Sequence, residues 1–251
     1  MSLPRLYLLD VEGTTSPISL VSERLFPFAR KHLRGYLREH LHAAEVQSDL
    51  ALLLEENRAE SDEKQVLRFA RDDKSVGMEE RLVDSAELDS VIDYLLWLMD
   101  RDRKSIALKS LQGKVWKAGF EAGELVGTVF ADVPEALVRW SRAARVAIYS
   151  SGSVEAQQLL FRHSSAGDLT PYLSGYFDTR VGAKGAADSY RTIAAATGVE
   201  TGEILFVSDV VRELNAAREA GCETRLSLRE GNHILHEYDG HSAISSFAEI
   251  H

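Results

Sequence analysis

The chain has 251 residues, 45% of them hydrophobic, a formal net charge of -10 and one cysteine, Cys222. That length suits one large domain or a core with an insertion, and the acidic balance without a long Lys/Arg run argues against a nucleic-acid or anionic-membrane surface. A lone thiol excludes an intramolecular disulfide, and no stretch approaches the roughly 18 apolar residues of a membrane span.

Strand-like sequence begins almost at once at the N-terminus, so a cytoplasmic protein without a leader is expected, with Cys222 as a buried, inert thiol. The run Leu6-Tyr-Leu-Leu-Asp10-Val-Glu12-Gly13-Thr14-Thr15 is apolar and then ends in two carboxylates, a glycine and two threonines. Such a run reads as a strand buried on both faces of a parallel sheet, and these sheets bind ligands at the carboxyl ends of their strands. If strand geometry persists, Asp10 and Glu12 point the same way.

From residue 20 the period becomes helical, with Val21, Leu25, Phe28 and His32 spaced by four, three and four. Residues 20–125 show no strand alternation and are expected to form an inserted, all-helical cap. Its clearest helix is expected over 85–103, with Leu88, Val91, Ile92, Leu95, Leu96 and Met99 as the apolar stripe and the charged run at 100–104 as a solvated face. Residues 107–125 carry glycines at 113, 119 and 123. Either these allow close packing, the favoured reading, or they mark a bend where Gln112, Lys114, Trp116 and Phe120 face a ligand.

Strand and helix then alternate, as in βαβ units. A helix is expected at 133–143, a strand at 145–149 followed by Ser150-Ser151-Gly152-Ser153, a helix at 154–163 and a short strand near 176–177. Lys184 lies in the next loop, and a helix capped by Gly198 leads to the strand 203–207, which ends in Ser208-Asp209. A helix at 210–220 and a last strand at 224–228 complete the pattern. The expected fold is α/β, with a doubly wound parallel-sheet, Rossmann-like core made of 1–19 and 126–251.

Three strands therefore end in Asp10, Ser150 and Asp209, and in a parallel sheet those ends share one edge. Asp10 and Asp209 are hard oxygen ligands suited to Mg²⁺, which offsets the repulsion between an aspartate and a phosphate ester. Lys184 adds charge stabilisation, and serine hydroxyls with free N–H groups at a helix start bind phosphate oxygens. Each signal alone has a plainer explanation as turn, cap or solvated side chain. Their occurrence together, in order and at strand ends, points to phosphoryl transfer. His233, His236 and His241 read as solvated histidines of a polar tail.

The order Asp-x-Glu-Gly-Thr, Ser-Ser-Gly, Lys, Asp-x-x-x-Glu resembles the haloacid dehalogenase superfamily of aspartyl-phosphate phosphatases. The segments Asp10-Val-Glu-Gly-Thr-Thr-Ser-Pro-Ile, Leu111-Gln-Gly-Lys-Val-Trp, Tyr149-Ser-Ser-Gly-Ser-Val-Glu-Ala-Gln, Phe177-Asp-Thr and Ser208-Asp-Val-Val-Arg-Glu resemble its enolase-phosphatases, the acireductone synthases of methionine salvage. The resemblance covers nearly the whole chain, and Glu12 is its most specific residue. It implies Asp10 as nucleophile, Glu12 as acid and base, and Mg²⁺ held by Asp10, Asp209 and the Glu12 carbonyl with Glu213 in support. It further implies phosphate held by Ser150, Ser151, Gly152 and Lys184. Lys114 and Trp116 are the expected cap contacts of the substrate.

The implied substrate is the phosphorylated diketone 2,3-diketo-5-methylthiopentyl 1-phosphate, enolised and then dephosphorylated. The expected state is a monomer with no nucleic-acid or membrane partner. A general phosphate-monoester phosphatase of the same fold, and a non-catalytic phosphometabolite-binding protein, stay open as alternatives.

Overall fold

The computed structural model describes residues 3–58, 82–234 and 237–250. The chain divides into two compact units, Met1–Arg24 with Phe120–His251, and Leu25–Gly119. These edges lie inside the expected 20 and 125. Helical periodicity begins at Leu20, but residues Leu20–Leu25 form a π-type turn that precedes the first α-helix. At the other edge, the Phe120 ring stacks on His163 of the first unit.

The first unit is built on a parallel sheet. Strand β1 (Leu6–Leu9) lies at its centre, flanked by β2 (Arg145–Tyr149) and, beyond it, β3 (Gly175–Phe177). On the other side lie β4 (Ile204–Ser208), β5 (Glu223–Ser227) and β6 (Ser242–Ile244). Every pairing is parallel, and the order 3-2-1-4-5-6 is that of a doubly wound sheet. β1 and β4 are wholly buried, which explains their unbroken apolar sequence. β6 was not expected. Its three residues, Ser-Ala-Ile, are too short to show a period inside a polar segment.

The second unit contains α1 (Phe26–His40), α2 (Ala44–Arg58), α3 (Leu88–Asp100) and all but the last two residues of α4 (Ile106–Glu121). Pro27 is tolerated because it stands in the first turn of α1. On α3 the buried stripe is Leu88, Val91, Ile92, Tyr94, Leu95 and Leu98, so it runs closer to Tyr94 and Leu98 than the expected Leu96 and Met99, which are half-buried. Part of the 20–125 expectation falls on 59–81, outside the described residues. Helix α4 passes through Gly113 without a break. Among the described residues nothing lies within 4 Å of a Cβ built there, so close packing is not what the glycine serves.

In the first unit, helices α5 (Val133–Trp140), α6 (Val154–Arg162), α7 (Ala187–Thr197) and α8 (Val211–Glu219) connect the strands. Ser153 caps α6, its hydroxyl accepting from Ala156 N–H at 3.2 Å. Gly198 ends α7 in the left-handed conformation, φ 65°. One core cluster joins Leu6, Leu8 and Phe206 of the sheet with Tyr190, Ile193 and Leu214 of the helices and includes Cys222, whose thiol burial pushes up to about 12. Among the described residues no helix is long and apolar enough to cross a membrane.

Candidate active site

The strand order reverses between β1 and β4, and the crevice beyond their carboxyl ends is where such a sheet offers a site. Leu9 is in register with Val207, and Asp10 N–H donates to the Val207 carbonyl at 3.0 Å. The buried Asp10 carboxylate therefore emerges beside the end of β4. Its Oδ1 accepts from Val11 N–H at 2.7 Å and lies 2.6 Å from Lys184 Nζ. Its Oδ2 has a longer contact, 3.4 Å, with the Ser208 hydroxyl.

Strand geometry ends at Leu9, so the alternation argument for Glu12 fails. A tight turn does the work instead. Ser16 N–H and Thr15 N–H donate to the Val11 carbonyl, Gly13 N–H donates to the Ser16 carbonyl, and the Thr15 hydroxyl donates to the Asp10 carbonyl at 2.9 Å. Gly13 has φ +69°, and a Cβ there would meet Asp209 Oδ2 at 2.2 Å. Only glycine allows the turn to approach Asp209 so closely. Donors on the β5 exit hold the outer side of the turn. Ser227 Oγ and Asn232 Nδ2 donate to the Gly13 carbonyl at 3.1 and 2.8 Å, and Arg229 Nε donates to the Thr14 carbonyl at 3.2 Å.

Lys184 Nζ also lies 2.6 Å from Glu213 Oε2, and Ser208 Oγ is 3.0 Å from the same oxygen. Glu213 comes from the first turn of α8. Asp10, Lys184, Glu213, Ser208 and Asp209 are thus brought together. Burial alone would pull the Lys184 ammonium down, but the charges and hydrogen bonds of Asp10 and Glu213 outweigh it and hold it above its ordinary value. The carboxyls move the other way. Burial, aided by the charges of Asp10 and Glu213, raises Glu12 against the pull of Lys184. Asp209 is pushed up to about 7 by burial and by Asp10. Glu213 is raised by burial and Asp10 despite Lys184 and Ser208. Four carboxylates facing one ammonium leave the edge short of positive charge.

Ser150 follows β2, next to β1, and its N–H donates to the Phe177 carbonyl at 3.1 Å. Its hydroxyl accepts from Gly152 N–H at 3.2 Å. Ser151 is exposed in the same loop. Gln157, which carried no role in the sequence reading, fixes this loop from α6. Its Nε2 donates to the Gly152 carbonyl at 2.8 Å and the Phe177 carbonyl at 2.9 Å. A glutamine three and four residues before Leu160 and Phe161, on the same helix face, was the available signal.

Lys114 and Trp116 belong to the other unit. Lys114 Nζ is 2.7 Å from Asp49 Oδ2, and Trp116 Nε1 donates to the Leu25 carbonyl at 2.7 Å. His241 is not solvated as expected. It is buried, with Nδ1 2.7 Å from Thr224 Oγ1 and Nε2 3.0 Å from Asn215 Oδ1. His233 is exposed, and His236 lies outside the described residues. Among the described residues no three His, Cys, Asp or Glu side chains gather into a ready cation site.

Residues 4–221 match the family of haloacid dehalogenase-like hydrolases. Proteins named Enolase-phosphatase E1 are similar over nearly the whole chain. The one from Synechococcus elongatus is 47% identical over 246 residues, covering 97% of this chain and 96% of its own, and the one from Danio rerio is 39% identical, covering 98% and 94%. The crystal structure of the UTR4 protein from Saccharomyces cerevisiae is 31% identical with a TM-score of 0.75, covering 97% of this chain and 98% of its own. A dehalogenase structure at 18% identity and TM-score 0.53 shares the fold. The chain belongs to the haloacid dehalogenase-like hydrolases and, within them, to the enolase-phosphatase family.

Proposed function

We propose that the chain converts 2,3-diketo-5-methylthiopentyl 1-phosphate into the acireductone 1,2-dihydroxy-3-keto-5-methylthiopentene and phosphate, with Mg²⁺ as cofactor. The observation that carries this reading is the buried Asp10 carboxylate at the reversal of the strand order, held by Lys184, with a half-buried Glu12 of raised pKa two residues on. A buried carboxylate aligned by an ammonium and a main-chain N–H is a pre-oriented nucleophile. A carboxyl raised toward neutrality beside it suits proton transfer in both directions.

The donor set fits Mg²⁺. Asp10, Asp209 and the Glu12 main-chain carbonyl are hard oxygens, and the surplus of carboxylates over ammonium groups calls for a cation. When bound, the ion neutralises phosphate oxygens and polarises the substrate carbonyl. Glu213 orients Lys184 through a 2.6 Å contact and supports the ion's outer shell.

In the enolase half, Glu12 takes the proton from the carbon bearing the phosphate ester as the adjacent carbonyl oxygen gains charge, and a proton from solvent turns that oxygen into the enol hydroxyl. In the phosphatase half, an Asp10 carboxylate oxygen forms a bond to phosphorus as the bond to the enol oxygen breaks, and protonated Glu12 delivers its proton to that oxygen. Ionised Glu12 then takes a proton from water as the water oxygen attacks phosphorus, which frees phosphate and regenerates Asp10. Lys184, the Ser150 and Ser151 hydroxyls and the N–H groups around Gly152 hold the phosphate oxygens. The helical unit acts as a cap that excludes water, with Lys114 and Trp116 as contacts of the methylthio end, and the enzyme works as a cytoplasmic monomer.

The test follows enol absorbance and phosphate together in Mg²⁺ with the diketone phosphate. The expected result is a transient enol signal preceding phosphate release. Release without an enol signal removes the enolase half, and equal turnover of simple esters makes the chain a general phosphatase. Binding without turnover makes it a phosphometabolite binder.

A further inference from the structure

The Lys184 loop has no evident means of support in the sequence, since small residues, Gly-Ala-Ala, follow the lysine. Three hydroxyls supply it. Tyr149 Oη donates to the Gly182 carbonyl at 2.9 Å, Ser189 Oγ donates to the Ala183 carbonyl at 2.7 Å, and Tyr190 Oη donates to the Lys184 carbonyl at 2.7 Å. Three successive carbonyls of a loop thus each take a hydroxyl from a regular element, β2 once and α7 twice.

The donors are rigid. Tyr149, Ser189 and Tyr190 are buried, and the Tyr190 ring meets Tyr149 edge-on at 5.7 Å and Phe206 at 5.1 Å. Burial raises both phenols, so each remains a neutral donor. Fit is close as well. Gly182 has φ +132°, and a Cβ there would stand 2.2 Å from Ser189 Oγ. The Tyr190 hydroxyl also lies 3.1 Å from the Glu213 carbonyl, so one phenol touches the main chain of both Lys184 and its carboxylate partner.

From this geometry we infer that Tyr149, Ser189 and Tyr190 are positioning residues that set the Lys184 main chain so that its ammonium meets Asp10 and the substrate phosphate together. The inference rests on the reading of Lys184 as a phosphate-holding residue. A lysine side chain has many rotamers, so its reach is defined only if its Cα is fixed, and a shift of about 1 Å at a catalytic group can cost on the order of 100-fold in rate.

The experiment compares Tyr190→Phe, Tyr149→Phe and Ser189→Ala with the unaltered enzyme, measuring kcat, KM, competitive inhibition by inorganic phosphate, and urea unfolding. Thr197→Ala is the control. It removes a hydroxyl that donates within the same helix, to Ile193 and Ala194 carbonyls, and leaves the loop untouched. Expected are a roughly tenfold rise in the phosphate inhibition constant and a matching loss of kcat/KM for Tyr190→Phe, smaller shifts for the other two, and no shift for Thr197→Ala at a comparable loss of stability. Unchanged phosphate inhibition in whichever of the three variants fold, whatever their stability, overturns the inference. Lys184→Met separates the two readings: if it binds inorganic phosphate in calorimetry as tightly as the unaltered enzyme does, the phosphate role of Lys184 fails first.

Discussion

The two units place their charges in opposite ways. In the helical unit Arg30, Arg34 and Arg38 line one side of α1 at spacings of four and meet Asp89, Asp93 and Asp100 of α3 at 2.6–3.2 Å, with side chains 41–73% exposed. In the sheet unit Lys184, Asp10 and Glu213 are 10, 6 and 11% exposed and make equally short contacts. Distance does not separate the sets; solvent does. Water screens the first, so each exposed pair contributes about 0–1 kcal/mol, whereas the second keeps its full field and can shift the protonation of its neighbours. Chemistry belongs where charges are concentrated out of water.

Substitutions at four positions test that contrast, from the largest effect to the smallest. Asp10→Asn keeps the volume and removes the anion. Phosphate release is expected to fall about 10⁴-fold, equivalent to about 5.5 kcal/mol, with the fold intact because Glu213 still pairs Lys184. A mild loss of rate would remove Asp10 as nucleophile.

Asp132→Ala tests a second pair of the sheet unit, in which Arg229 is buried and Asp132 half-buried. Arg229 Nη1 lies 2.8 Å from Asp132 Oδ2, its guanidinium between the Phe130 and Phe247 rings at 4.8 and 4.6 Å from their centroids. Leaving that charge unpaired costs about 3–5 kcal/mol, readable by urea unfolding. The pair also sets a pH limit. Burial pushes the Asp132 carboxyl up, but hydrogen bonds from Arg229 and the Phe247 N–H, the Arg229 charge and the Ser246 hydroxyl outweigh it and hold it below its ordinary 3.8. A group lowered on folding stabilises fully above its unfolded value and loses that contribution as pH falls through the folded one. Stability should therefore drop below pH 3.8, and the Asp132→Asn protein should show a shallower drop over that range.

Gly13→Ala sets a methyl against Asp209 Oδ2 and strains a φ of +69°. About 2–3 kcal/mol of stability is expected to be lost along with most of the activity. Asp89→Ala removes the carboxylate shared by Arg34 and Arg38, leaving Arg34 its contact with Asp93, and should cost less than about 1 kcal/mol, an effect that disappears near 1 M salt. A loss comparable to that of Asp132→Ala would collapse the distinction between the units.

The sequence made some of this architecture legible and hid the rest for physical reasons. β1, β2 and β4 announce themselves because strands buried on both faces must be apolar throughout, and their acidic or hydroxylated ends then stand out. Asp10, Ser150 and Asp209 were readable as residues at such ends, and Lys184 as a residue of a later loop. Glu12 was readable as a residue but not as geometry, because a turn and not a strand presents it. What holds the site was not legible. Arg229 and Asp132 are 97 residues apart, and the hydroxyls supporting Lys184 come from two tyrosines and a serine with no pattern of their own. Gly113 misled, since a helical glycine without neighbours looks in sequence like one needed for packing.

The grip of the β5 exit on the turn at Gly13 joins residues 214 to 219 positions apart. Synthesis runs from the N-terminus, so the acid-bearing turn is made at least 214 residues before the donors of its carbonyls and must wait for them. Its strand, central in the sheet, likewise has no hydrogen-bonded neighbour until residues 145 and beyond have emerged. During translation the turn that carries Asp10 and Glu12 thus stays without its clasp until the β5 exit has been made.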